Sequence, residues 1–200
     1  MTTCPRLILA SASPRRAQLL REHGYAFEVI EPPLEEPARL SDGLAPIQLA
    51  EALSFFKARS VAERLREGLV LGADTVAALN GEIFGKPRDR DDARRILRSI
   101  CGTRHEVITG VTLIDVSTGK RRIRHDVTAV LMRRLSDAEL GAYLDSNEWQ
   151  GKAGAYGIQD HGDAFVERIE GGFSNVVGLP MELLAEMLTE FDEPHPREAE

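Results

Sequence analysis

The chain has few of the residues that would commit it to an extracellular or cofactor-binding class. There are two cysteines in 200 residues, Cys4 and Cys101, with neither a C-x-x-C pair nor zinc-ligand spacing. A disulfide framework is therefore excluded, and a reducing compartment is expected. No apolar run approaches the roughly 20 residues a membrane-spanning helix needs, and the short run near the amino terminus is too brief for a secretory signal. The expectation is a cytoplasmic protein with no membrane partner. A net charge of −7 disfavours a binder of nucleic-acid polymers, which carries a basic surface. There is no G-x-G-x-x-G, G-x-S-x-G or H-E-x-x-H. The P-loop pattern also fails: Gly81 and Gly85 are too close, and Pro87 stands where a magnesium-holding Ser or Thr belongs. Lysine is scarce too, with four (Lys57, Lys86, Lys120, Lys152) against 21 arginines. Lysine gives a compact point charge where arginine gives a planar fork, so the retained lysines merit a close look.

At 42% hydrophobic content the chain can bury one core of ordinary domain size. Leu7–Ala10 reads as a buried strand, followed by Ser11-Ala12-Ser13-Pro14-Arg15-Arg16 and a helix from Pro14 to about His23, closed by Gly24. Proline suits a first helical position, but two arginines oppose the helix dipole there. Hydroxyls, free backbone N–H groups and guanidinium groups together describe an anion site, most simply for phosphate; the alternative is an N-cap serine with two solvated arginines.

Further along, Phe27–Ile30 reads as a strand and the Pro- and acid-rich stretch 31–43 as a loop. A long helix is expected from Pro46 to about Arg66, then a strand over Leu69–Ala73 that ends at Asp74. Asn80-Gly81 between apolar runs marks a hairpin. A helix over Asp89–Cys101 precedes paired strands Glu106–Val116 and Arg121–Leu131. Ser136 and Glu139 have capping-box spacing for a helix ending near Ser146. Residues 151–162 read as a glycine-rich loop, Ala164–Glu170 and Ser174–Gly178 as short strands, and Pro180–Phe191 as the last helix. This predicts one α/β domain over residues 1–191 around a mixed, curved sheet, with a polar tail from Asp192 to Glu200.

Several segments could carry chemistry. Asp74 at a strand end is placed to hold a metal or a water, or else simply to close a turn. Lys57 lies at the border of an apolar helix face and either snorkels to water or enters a cleft. Lys86 meets a phosphate or stays solvated beside its turn. Glu35 and Glu36 could complete a magnesium site with a distant carboxylate, or remain solvated. In Gly151-Lys152-Ala153-Gly154-Ala155-Tyr156-Gly157-Ile158-Gln159 the glycines allow close approach to a ligand, Lys152 adds charge, and Gln159 offers both a donor and an acceptor. Asp160, His161 and Asp163 have no recognised ligand spacing, and His105 and His125 fall in or near strands without a nucleophile motif.

Taken in order, the chain resembles the Maf family of septum-formation-associated nucleotide pyrophosphatases. The resemblance rests on Ala10–Arg16, Leu71–Val76, Gly85-Lys86-Pro87, Thr109-Gly110-Val111, Lys152–Gln159 and Asn175-Val176-Val177-Gly178-Leu179-Pro180. It implies an elongated α/β molecule with a central cleft, similar to inosine-triphosphate pyrophosphatases, and a homodimer. It implies hydrolysis of nucleoside triphosphates to monophosphate and pyrophosphate with Mg2+ or Mn2+. Asp74 would be the general base. Ser11, Ser13, Arg15, Arg16, Lys57, Lys86 and Lys152 would bind substrate, and Glu36 with Asp74 would hold the metal. Arg15, Thr75 and Gln159 match the branch that resembles dTTP/UTP pyrophosphatases. The resemblance leaves open a broader pyrophosphatase, or a nucleotide-binding regulator of septum formation with little catalysis.

Overall fold

The computed structural model describes residues 6–33, 43–158 and 164–192. In chain order the strands are β1 Leu7–Ala10, β2 Phe27–Val29, β3 Leu69–Leu79, β4 Glu82–Phe84, β5 Arg104–Asp115, β6 Arg121–Met132 and β7 Val166–Glu170. The helices are α1 Pro14–Glu22, α2 Pro46–Ala62, α3 Arg90–Ile100, α4 Asp137–Ser146, α5 Phe173–Val177 and α6 Met181–Asp192, with a 3₁₀ turn at Ala153–Ala155. The strands form one mixed sheet in the order β2-β1-β3-β5-β6-β7, with β4 attached to β3. β1 runs parallel to β2 and β3, and the remaining pairings are antiparallel.

The period-two alternation of a strand explains the core. Leu7, Leu9, Leu71, Ala73, Val111 and Leu113 share a cluster with Leu20 of α1 and Leu184 and Met187 of α6. Their neighbours Ile8, Ala10, Val70 and Ile114 pack instead with Ala58 and Val61 of α2. Because this part of the sheet is covered on both faces, β1 is apolar at every position rather than at alternate ones. Beyond it, Ala77 and Val107 join Phe84, Ile96, Leu97, Tyr143 and Trp149 in a second cluster built on α3 and α4. Among the described residues, no helix is long and apolar enough to cross a membrane.

Three readings of the sequence need correction. The strand expected to stop at Ala73 continues to Leu79, because β5 pairs with it from Leu69 to Ala78, so Asp74 lies within a strand. The long helix ends at Ala62 rather than near Arg66. Ser174–Gly178, rich in valine, is helical and not a strand. There the tertiary bonds of Asn175 to β5 and β6, and the Met181 amide donating to Ser174 Oγ, override local β propensity. The last helix reaches Asp192, and the tail beyond it lies outside the described residues.

Candidate active site

The cleft follows from a gap in the sheet. On the side of β3 away from β5, β1 pairs as far as Gly72, and β4 pairs only from Ala77 onward. Between them, Ala73–Val76 has no neighbouring strand on that side among the described residues. Into this gap opens a cavity of about 350 Å³ lined by Asp74 and Thr75. The carboxyl end of β1 and the first turn of α1 supply Ser11, Ser13, Arg15 and Arg16 to its wall. Ser13 stands at the N-cap of α1 with no side-chain capping bond, so the positive end of the helix dipole borders the cavity.

Five cationic side chains line the cavity, Arg15, Arg16, Lys57, Lys86 and Lys152, against one carboxylate among the described lining residues, Asp74. Three of the four lysines of the chain are thus gathered in one place, which is the reverse of the overall acidic balance. Lys86 and Lys152 arrive from separate loops, tied together where the Gly154 amide donates to the Gly85 carbonyl at 3.2 Å. Such a concentration of positive charge around a partly enclosed space focuses a polyanion.

Lys57 reaches Asp74 from α2 and donates to its Oδ1 in a buried ion pair. Two glycines make this possible. A Cβ on Gly72 would lie 2.4 Å from the Ser54 carbonyl oxygen, and one on Gly110 would lie 2.2 Å from that of Ala50. Any side chain at either position would lift α2 off the sheet. The pairing holds one carboxylate oxygen of Asp74 in place, and among the described residues its Oδ2 has no protein partner.

Arg16 is tied into the protein on three sides. It lines the cavity, yet its Nε donates to the Gly178 carbonyl at 2.8 Å, Nη1 to Ser11 Oγ at 3.2 Å and Nη2 to Thr75 Oγ1 at 3.2 Å. It therefore binds the β1–α1 loop, β3 and the α5–α6 turn into one frame. Arg15, half-buried beside it, also lines the cavity.

Residues to which the sequence reading gave no role support the walls. Tyr156 lines the cavity, and its hydroxyl is hydrogen-bonded to His105 Nε2 at 2.9 Å with the rings edge to face. Burial pushes the His105 imidazole down to about 4, so it is neutral at physiological pH, and burial raises the Tyr156 phenol above its usual range. Asn175, fully buried, donates from Nδ2 to the Val107 carbonyl and to Thr128 Oγ1, fixing the α5 segment that carries Val176, Val177 and Gly178 in the cavity wall. A polar residue inside an otherwise apolar Val-rich run was the available signal for Asn175; no comparable signal marks His105. Glu35, Glu36, Gln159, Asp160, His161 and Asp163 lie outside the described residues.

Residues 6–191 match the family described as Maf-like protein. The chain is 42% identical over 185 residues to a dTTP/UTP pyrophosphatase of Pelotomaculum thermopropionicum, covering 92% of this chain and 96% of that protein. It is 45% identical over 184 residues to a dTTP/UTP pyrophosphatase of Alkaliphilus metalliredigens, covering 92% and 94%. Among solved structures, a HAM1 protein from Coxiella burnetii shares the fold with a TM-score of 0.53 at 17% identity, covering 93% of this chain and 99% of that one. With its ordered motifs converging on one cleft and the match running almost end to end, the chain belongs to the Maf-like protein family.

Proposed function

We propose that this chain is a nucleoside triphosphate pyrophosphatase that splits dTTP and UTP into monophosphate and pyrophosphate. The observation that carries the reading is the cavity in which five cations surround a single carboxylate whose Oδ2 faces no protein partner among the described residues. A triphosphate supplies the negative charge that such a wall is suited to hold. The names of the relatives in Pelotomaculum and Alkaliphilus support dTTP and UTP as substrates.

In this reading a water attacks the α-phosphorus, and the bond from that phosphorus to the α,β-bridging oxygen breaks. Asp74 orients the water through Oδ2 and takes its proton. Lys57 keeps the Asp74 carboxylate aimed through its contact with Oδ1. Arg15, Lys86 and Lys152 meet the charge that accumulates on the departing pyrophosphate, as fixed cations do most effectively when water is partly excluded. Arg16 holds the frame on which Ser11 and Thr75 sit.

The donor set fits a divalent cation. Among the described residues no three His, Cys, Asp or Glu side chains gather as a protein-made metal cage. Magnesium characteristically uses one or two carboxylates together with substrate phosphate oxygens. Asp74, with Glu36 from the segment outside the described residues, would hold such an ion. When bound, Mg2+ or Mn2+ neutralises phosphate oxygens as a Lewis acid. The cytoplasm, where these nucleotides are pooled, and a homodimer complete the proposal.

The test is incubation of the purified protein with magnesium or manganese and a panel of dTTP, UTP, CTP, GTP, ATP and 7-methyl-GTP, with monophosphate and pyrophosphate both measured. Preferential release from dTTP and UTP is expected. Release from a different nucleotide would overturn the substrate assignment, and tight binding without release would make the chain a nucleotide-binding regulator.

A further inference from the structure

We propose that His105, buried behind the cavity wall, is a positioning residue for the phosphate chain of the substrate: through Tyr156 it locks the turn that presents Lys152. The inference rests on the nucleoside triphosphate reading above and adds to it a residue that touches no substrate.

Lys152 enters the cavity from a turn of unfavourable backbone geometry. Gly154 and Ala155 follow one another at positive φ, +71° and +61°. Glycine adopts that region freely, but an alanine there is strained. Such a conformation persists only where its surroundings hold it. The Gly154 amide donates to the Gly85 carbonyl at 3.2 Å, and the Ala155 amide to the Lys152 carbonyl at 3.1 Å. A Cβ on Gly154 would lie 3.1 Å from the Ala77 methyl of β3 and 3.1 Å from the Tyr156 ring. The turn therefore packs tightly against both the strand and that ring.

Tyr156 is in turn tied from behind. Its hydroxyl shares a hydrogen bond with His105 Nε2 at 2.9 Å, and the two rings meet edge to face with centroids 5.6 Å apart. His105 stands on β5, is 1% exposed and is absent from the cavity lining. Among the described residues its Nδ1 has no partner. Burying an imidazole with one nitrogen unmatched costs stability, and an apolar ring of similar shape would avoid that cost. Packing alone thus gives no reason for a histidine here. Its one side-chain bond, made to a residue of the cavity wall, does.

The path from His105 to the substrate is short. It runs through Tyr156 and the turn Ala153–Ala155 to Lys152, a buried side chain that lines the cavity. Without the bond from His105 the Tyr156 ring can shift, the strained turn relaxes, and the ammonium group moves off the phosphates. Asp74, Lys57 and Arg16 are held by other elements and keep their places.

The experiment measures binding of inorganic pyrophosphate and of UMP by calorimetry, each with magnesium present. His105→Phe keeps a buried ring and removes the bond, and Tyr156→Phe removes it from the other side. Each should weaken pyrophosphate binding by on the order of tenfold, as loss of a contact to a charged group does. UMP binding should stay within about twofold, because Lys152 is not assigned to the α-phosphate. His105→Gln carries an amide that still reaches the hydroxyl and should recover most of the pyrophosphate affinity. In a Lys152→Met background His105→Phe should change pyrophosphate binding by no more than about twofold, since the cation it positions is gone. Tyr156→Phe serves in the same cycle if His105→Phe does not fold. Unchanged pyrophosphate affinity in the folded variants, an equal loss for UMP, or an undiminished loss in the Lys152→Met background would overturn the inference. A protein with the expected binding ratios that does not split nucleoside triphosphates would lose the hydrolysis reading and keep this one.

Discussion

On one side of the cleft Lys57 reaches across from α2 to Asp74, charge against charge, with the helix laid directly on Gly72 and Gly110. On the other side Arg16, Thr75, Thr109 and Asn175 pass a run of hydrogen bonds from α1 through the sheet to α5. The two sides touch at consecutive residues of β3, Asp74 and Thr75, yet they solve different problems. A buried ion pair contributes little net stability because desolvation opposes its attraction. In the proposed reaction it provides an oriented carboxylate where charge changes. The hydroxyl run instead ties the walls contributed by α1, β3 and α5 into one frame. Consecutive residues of β3 thereby join the ion pair to the hydrogen-bonded frame at the cavity wall.

The largest expected effect breaks the charged side alone. Asp74→Asn keeps the shape and removes the base, and kcat on UTP should fall by about 10²–10⁴. Binding of the α,β-methylene UTP analogue should persist, as calorimetry would record. Full turnover in a folded variant would remove Asp74 from its assigned role.

Next in size is the support beneath that side. Gly72→Val places its Cβ against the Ser54 carbonyl, a 2.4 Å approach that α2 must yield to. Overpacking of this kind should lower stability by about 3 kcal/mol in denaturant titration. Because α2 carries Lys57, kcat should fall in the fraction that remains folded. A variant of native stability and activity would mean that the close approach of α2 is not what positions the pair.

His105 sharpens the comparison from behind the wall that holds Tyr156. Its folded-state pKa of about 4 lies below its ordinary 6.5, because burial opposes the charged form. The unfolded chain thus binds more protons between these values, so stability is full above pH 6.5 and declines as pH falls toward 4. The integrated loss is on the order of 3 kcal/mol for a shift of this size. His105→Gln should flatten that part of the stability-against-pH curve. Glu139 and Glu170 are also held low, by bonds from Ser136 and from Arg104 respectively, but their contribution is lost at more acidic pH. An unchanged slope in His105→Gln would contradict the buried neutral imidazole.

The smallest effect is a control remote from both sides. Ser136 Oγ accepts from the Glu139 amide at the start of α4, and the Glu139 carboxylate accepts from the Ser136 amide in return. Ser136→Ala should cost about 1 kcal/mol of stability and leave the ratio of UTP to CTP turnover unaltered. A changed ratio would show that substrate choice is not confined to the cleft.

Much of the fold was legible because its signals are local. β1 is an uninterrupted apolar run, Asn80 and Gly81 adopt the positive φ angles a tight hairpin needs, and the Ser136 box forms as its spacing implies. What was not legible depends on contacts made far along the chain. Asp74 read as a strand terminus because β3 loses its β1 neighbour there, whereas the long pairing with β5 carries the strand on. Ser174–Gly178 has strand-like composition, and only the bonds of Asn175 to Val107 and Thr128 show why it coils into α5. At the site, the residue types are those of a cation-lined cavity, and the scarcity of lysine pointed to three of its members. The different use of two adjacent arginines could not be read from sequence, since Arg15 and Arg16 are chemically the same until Gly178, Ser11 and Thr75 are brought to one of them.

The most direct test of the central claim is to run the reaction on UTP in water enriched in heavy oxygen and to weigh both products. Attack at the α-phosphorus, directed by Asp74, predicts the label in the monophosphate and none in the pyrophosphate. Label in the pyrophosphate, or phosphate released singly from the γ end, would contradict the account.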